Sequence, residues 1–151
     1  MNRFLGNLVI VAATAWTGAL WGIGYIAAPV LFKSLGDRQL AGMVAGHMFS
    51  VVAYVGIVCA LILLAHSLYG HGRTAFKRSL FRVVVIMLLL TLIGQFGLQP
   101  MIADLKAQAL PLDVMQSAYS GQFKILHGIA SILYLIQSLL GIALVLKARS
   151  A

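Results

Sequence analysis

The chain has 151 residues, 62% of them hydrophobic and only 9% charged, with a formal net charge of +8. Soluble domains carry roughly a quarter charged residues, so this much apolar surface has no place in a water-soluble core. A bilayer offers no water to backbone groups and admits only helices or closed barrels, and long apolar runs without period-two alternation select helices. The expected fold class is therefore all-α: a polytopic membrane protein, an antiparallel bundle of four transmembrane helices in one domain.

The first apolar run covers about residues 4–32, opening after Arg3 and closing at Lys33. A secretory signal, with Arg3 as its basic flank and Ala13-Thr14-Ala15 as the cleavage site, is the competing reading. The run continues through Phe32 without a polar break, which favours a span, and Met1 in the mature protein would exclude cleavage. Gly18-x-x-x-Gly22 lies within it. A second run, 39–66, holds Gly42-x-x-x-Gly46 and the single cysteine, Cys59, which is read as buried and inert. Small residues let helices in lipid approach closely, so Gly18, Gly22, Gly42 and Gly46 are expected to form a tight crossing of the first two spans.

Between the second run and the third, 80–103, lies a loop bearing Arg73, Lys77, Arg78 and Arg82. It is read first as a topology determinant, ahead of a site for anionic lipid or an acidic partner. After the third run the connection contains Pro100 and Pro111. Ile102, Leu105 and Ala109 recur there at helical spacing, which fits either an amphipathic surface segment or a third helix extended and bent at Pro100. The fourth run spans 123–146.

The 11 basic residues fall almost entirely in the connections, which makes them a topology signal rather than a nucleic-acid surface. Arg3, Arg73, Lys77, Arg78, Arg82, Lys147 and Arg149 lie on one side; Lys33, Arg38, Lys106 and Lys124 lie on the other, with all three acids, Asp37, Asp104 and Asp113. Seven against four predicts both termini in the cytoplasm of a bacterial inner membrane.

Polar groups within the runs concentrate towards the outer ends: Tyr25, His47, Gln95, Gln99 and His127. Polar side chains in a membrane face the bundle interior or a wet cavity, so these five are the candidate ligand-binding residues of a periplasm-facing pocket; the competing reading is interfacial residues reaching headgroups. His47 and His127, at similar depth, suggest haem ligation, and Met43, four residues before His47, adds a thioether suited to copper(I), against a plain packing role. Met48, Met101 and Met115 also lie on the outer side, while His66 and His71 flank the basic loop as weaker candidates. Trp16, Trp21, Tyr54 and Tyr134 are read as packing residues. With no carboxylate inside a span, no Gly-rich phosphate loop, no Ser/His/Asp set and no Cys-x-x-Cys, enzyme and proton-coupled carrier classes lose ground.

Gly22-x-x-Tyr25, Ala28-Pro29-Val30-Leu31-Phe32, Leu40-Ala41-Gly42 and Gly46-x-x-Phe49 recur in order, followed by Gln99-Pro100-x-Ile102 and Phe123-x-x-x-His127-Gly128-x-x-Ser131. By these residues the chain resembles the transmembrane protein 205-like family of small membrane proteins, domain of unknown function 4149. That resemblance covers nearly the whole chain. It implies a four-span bundle without an established reaction, distantly similar to copper-resistance protein D and to haem-binding membrane oxidases of porphyrin synthesis. His127 falls on a motif position of the family; His47 sits where variable or basic residues are usual, and Tyr134 departs from a position usually polar.

The expected function is a binding or accessory protein with an outward polar pocket able to hold a metal ion or haem. The alternatives are a small transporter or permeation pathway, and a haem-dependent redox enzyme. The lipid bilayer, a second copy of the chain, or another membrane protein are the partners it admits.

Overall fold

The computed structural model describes residues 3–149. Of the described residues 92% are helical, and none forms a strand. Among the described residues four helices are long and apolar enough to cross a membrane: Leu5–Ser34, Arg38–Lys77, Ser79–Ala109 and Ser120–Ala148, the first to fourth spans. The shortest has 29 residues, about 43 Å of helix against a hydrocarbon core of about 30 Å, so every span protrudes into the headgroup region.

Short connections force neighbouring spans to run antiparallel. Asp37 closes the first connection and caps the second span, its Oδ1 accepting from the backbone N–H of Gln39 at 2.8 Å and of Leu40 at 3.1 Å. The second span continues past its expected end to His71, where Gly72 adopts a positive φ (+51°) that only glycine takes without strain; a 3₁₀ segment, Gly72–Lys77, leads into the third span. The third helix itself extends through Pro100 to Ala109, which decides between the two readings of the linker. A 3₁₀ turn, Val114–Gln116, capped by Asp113, leads to the fourth span. Contacts run from first to second, second to third, third to fourth and fourth back to first, so the spans form a square in which the first faces the third, and the second the fourth, across the diagonal.

The first and third spans share one irregularity. A π-helical turn, Gly22–Ala27 in one and Ile93–Leu98 in the other, precedes a segment whose second residue is proline, Pro29 or Pro100. Proline has no N–H, and its ring collides with the carbonyl four residues back, here of Tyr25 or Phe96. Widening that turn by one residue relieves the collision. In both spans the residue just before the proline donates to the carbonyl five residues back, Ala28 to Ile23 and Gln99 to Gly94.

The core fills the half of the bundle that carries the basic loop. Val9, Ala13, Trp16, Leu20, Ala60, Leu63, Val84, Met87 and Leu144 are all buried there. Trp16 is wholly buried against Gly56, with its indole N–H unpartnered, in keeping with the packing role expected of it. A smaller cluster of Leu105, Ala109 and Val114, with Tyr119, Phe123 and Leu126 against it, closes the far end of the third and fourth spans.

Gly18 and Gly22 are not the glycines pressed by neighbouring side chains. A Cβ on Gly18 or Gly22 would meet nothing within 4 Å, whereas one on Gly56 would strike the Trp16 ring and one on Gly24 the Tyr134 ring. At Gly141 it would lie 3.0 Å from Thr17 Cγ2. Spacing marks a small-residue face, but the partner's large side chain decides where smallness is needed. Gly56→Ala is therefore expected to lower stability by about 1–3 kcal/mol through overpacking, while Gly18→Ala holds or gains up to about 1 kcal/mol from helix propensity. Thermal unfolding of both variants in detergent checks the contrast.

Candidate functional site

The fourth span presents one stripe to the bundle axis: Phe123, His127, Ala130, Tyr134, Gln137, Gly141, Leu144 and Ala148, alternating at three and four residues. From Gln137 downward every member is buried; His127, on the same stripe, is exposed. His127 is the one exposed member of this inward stripe, and Phe123, Ala130 and Tyr134 are only half-buried, so packing is looser at this end. A cleft results between the large core and the small outer cluster.

Tyr134 forms its floor. The Tyr134 hydroxyl donates to the Leu20 carbonyl oxygen at 2.6 Å, at the base of the first π turn. Its ring meets Phe49 of the second span edge-on at 5.2 Å and Tyr25 at 6.2 Å, so one side chain joins three spans. Tyr25 in turn tilts against Trp21 at 5.4 Å, and the Trp21 indole donates to the Ser138 carbonyl. Just below, Gln137 Nε2 donates to Thr91 Oγ1 at 2.6 Å, and the Thr91 hydroxyl donates to the Met87 carbonyl at 2.9 Å. Thr91 stands at the base of the second π turn, so the fourth span braces both.

The wall between the second and third spans is polar. Gln99 Nε2 donates to the Gly46 carbonyl at 3.2 Å, and, two turns on, Lys106 Nζ donates to the Gly42 carbonyl at 3.0 Å. A Cβ at Gly46 would lie 3.3 Å from Gln99 Nε2 and one at Gly42 3.5 Å from Lys106 Nζ. Gly42 and Gly46 therefore expose backbone acceptors to the third span, rather than admitting the first. Lys106 also lies over the Phe123 ring, 5.8 Å from its centroid, and Phe123 stacks on His127 at 5.4 Å and 11°.

Of the five candidate residues, Gln99 bonds to Gly46 of the second span, His127 stacks on Phe123, Tyr25 meets the Tyr134 ring, and Gln95 lies within the second π turn. Gln95 is half-buried and makes no hydrogen bond among the described residues. His47 falls elsewhere. It shares an exposed stripe with Met43, Val51, Tyr54, Val58 and Leu61, turned away from the buried face that carries Ala41, Ala45 and Val52. The residues present do not fit a haem held by His47 and His127, since one looks out of the bundle and the other into it from the diagonal span. Among the described residues no group of three or more His, Cys, Asp or Glu comes together that could hold a metal ion. Spacing missed Tyr134, Phe123 and Lys106, although the seven-residue step from His127 to Tyr134 signals a shared face.

A family model described as a domain of unknown function, DUF4149, matches residues 11–111. The chain belongs to that family. No curated protein and no solved structure matches it. Within this DUF4149 chain the matched residues take in both π turns, Tyr25, Gln95, Gln99 and Lys106, and stop before the fourth span, which supplies His127 and Tyr134. Tyr134→Phe keeps the ring at the floor and removes only its hydrogen bond to Leu20, so a loss of about 1 kcal/mol is expected, read as a lower unfolding temperature in detergent.

Proposed function

We propose that this protein is a binding or accessory protein of the bacterial inner membrane, with both termini cytoplasmic and its cleft open to the periplasm. The orientation is supported by the Lys and Arg excess on the side of Arg73–Arg82. Placement in the transmembrane protein 205-like group is supported by the ordered motifs from Gly22-x-x-Tyr25 to His127-Gly128.

The observation that carries the binding role is the break in packing above Tyr134, where His127 stays exposed on the inward stripe and Gln95 and Gln99 are only half-buried. Polar residues within a membrane bundle are costly unless they serve a wet cavity or a ligand. The surrounding groups are the amides of Gln95 and Gln99, the Tyr25 hydroxyl and the Lys106 ammonium, with Gln99 and Lys106 already donating to the second span, flanked by the faces of Phe49, Phe123 and Tyr134. Such a mixed polar and aromatic lining suits a small amphiphile. The buried layer from Trp16 to Leu144 beneath the floor argues against a permeation pathway through a single copy.

Single cysteines introduced at Gln95 and His127 in a Cys59→Ala background are expected to react with a membrane-impermeant maleimide added to spheroplasts, while one at Leu144 stays protected. Protection of position 127 to the same degree as 144 would reject the open cleft. Native mass spectrometry of protein released from its own membrane then tests occupancy. A small amphiphile retained by the wild type and lost from Gln95→Leu is expected, and an empty cleft in both would reject the binding role.

A further inference from the structure

A second concavity lies at the opposite end of the molecule, outside the cleft. The 3₁₀ segment Gly72–Lys77 turns back against the start of the third span and holds Ala75 fully buried while leaving Phe76 58% exposed. The Phe76 and Phe81 rings meet edge to face at 4.8 Å. Together with Arg82, Val85 and Ile86 they line a groove of about 250 Å³, open along one side. Arg82 sits one turn before Val85 and Ile86 on the same helix face, and Arg78 is the residue at which that helix begins. The groove is thus apolar where it runs towards the bilayer centre and cationic where it reaches the headgroups.

Charge balance makes this end incomplete by itself. Arg73, Lys77, Arg78 and Arg82 fall within ten residues, while Asp37, Asp104 and Asp113, the three acids of the chain, all lie at the other end of the bundle. No acidic side chain is near enough to neutralise these cations. Each Lys or Arg at a membrane surface gains from an anionic headgroup.

We propose that this groove binds one anionic phospholipid of the surrounding bilayer, an acyl chain lying along Phe76, Phe81, Val85 and Ile86 and its phosphate held by Arg82 and Arg78. The same basic loop that orients the chain thereby acquires a lipid ligand. The groove gives the loop a shape to recognise, which charge alone does not.

The test uses full-length protein in mixed nanodiscs, where insertion orientation has no influence, with phosphatidylglycerol and phosphatidylcholine as the lipid probes and native mass spectrometry as the readout. One phosphatidylglycerol is expected to remain bound in preference to phosphatidylcholine. Removing two cations in the double variant Arg78→Gln, Arg82→Gln should weaken that retention roughly 30-fold. Val85→Trp fills the groove and leaves every charge in place, and should also release the lipid. Lys33→Gln with Arg38→Gln, at the other end, should change nothing. Equal retention of the two lipids, or undiminished retention in Val85→Trp, would overturn the proposal. So would a lipid-indifferent wild type whose four cations are instead required for capture of an acidic peptide.

Discussion

In hydrocarbon every backbone amide and carbonyl must find its partner inside the protein, and the two proline-interrupted helices make that demand local. Pro29 and Pro100 each remove a donor, and each span answers with a turn wider by one residue. Carbonyl and hydroxyl groups at the base of these turns are met from the fourth span, by Tyr134 at Leu20 and by Gln137 at Thr91. The arrangement places the bundle's polar layer between a packed half below and a parted half above. Cleft and floor are two results of one backbone requirement.

The spans, their order and the antiparallel hairpins were legible because they follow from transfer energetics: run length, charge-free stretches and short connections. The all-α class needed nothing more. Which side of a helix faces inward was harder to see. All round each span the residues are apolar, so the amphipathic signal that orients a helix in a soluble protein is weak here. His47 shows the result, since its depth marked it for a pocket while its azimuth turns it outward with Val51 and Tyr54.

Glycine spacing failed for a related reason. Gly18-x-x-x-Gly22 has the form of a packing motif, yet no neighbour presses on it, whereas isolated Gly24, Gly56 and Gly141 receive Tyr134, Trp16 and Thr17. Close approach is a property of two surfaces, and only one of them is visible in a local pattern. Gly42 and Gly46 belong to neither case, because their small size lets long donors reach the peptide oxygens. The two ends of the molecule consequently differ in kind, one a hydrogen-bonded polar seam between helices and the other a cation-rimmed groove on the third span.

A π turn is equivalent to one inserted residue, so everything beyond it is wound back by about 100° relative to an unbroken α-helix. Each later residue then holds the azimuth its predecessor would otherwise have held. Beyond Ile93–Leu98, the seam with the second span is occupied by Gln99 and Lys106; with regular winding it would be occupied by Leu98 and Leu105. A hydrocarbon seam would then have replaced a hydrogen-bonded one with no change of sequence, so the chemical character of that wall is written in helical phase.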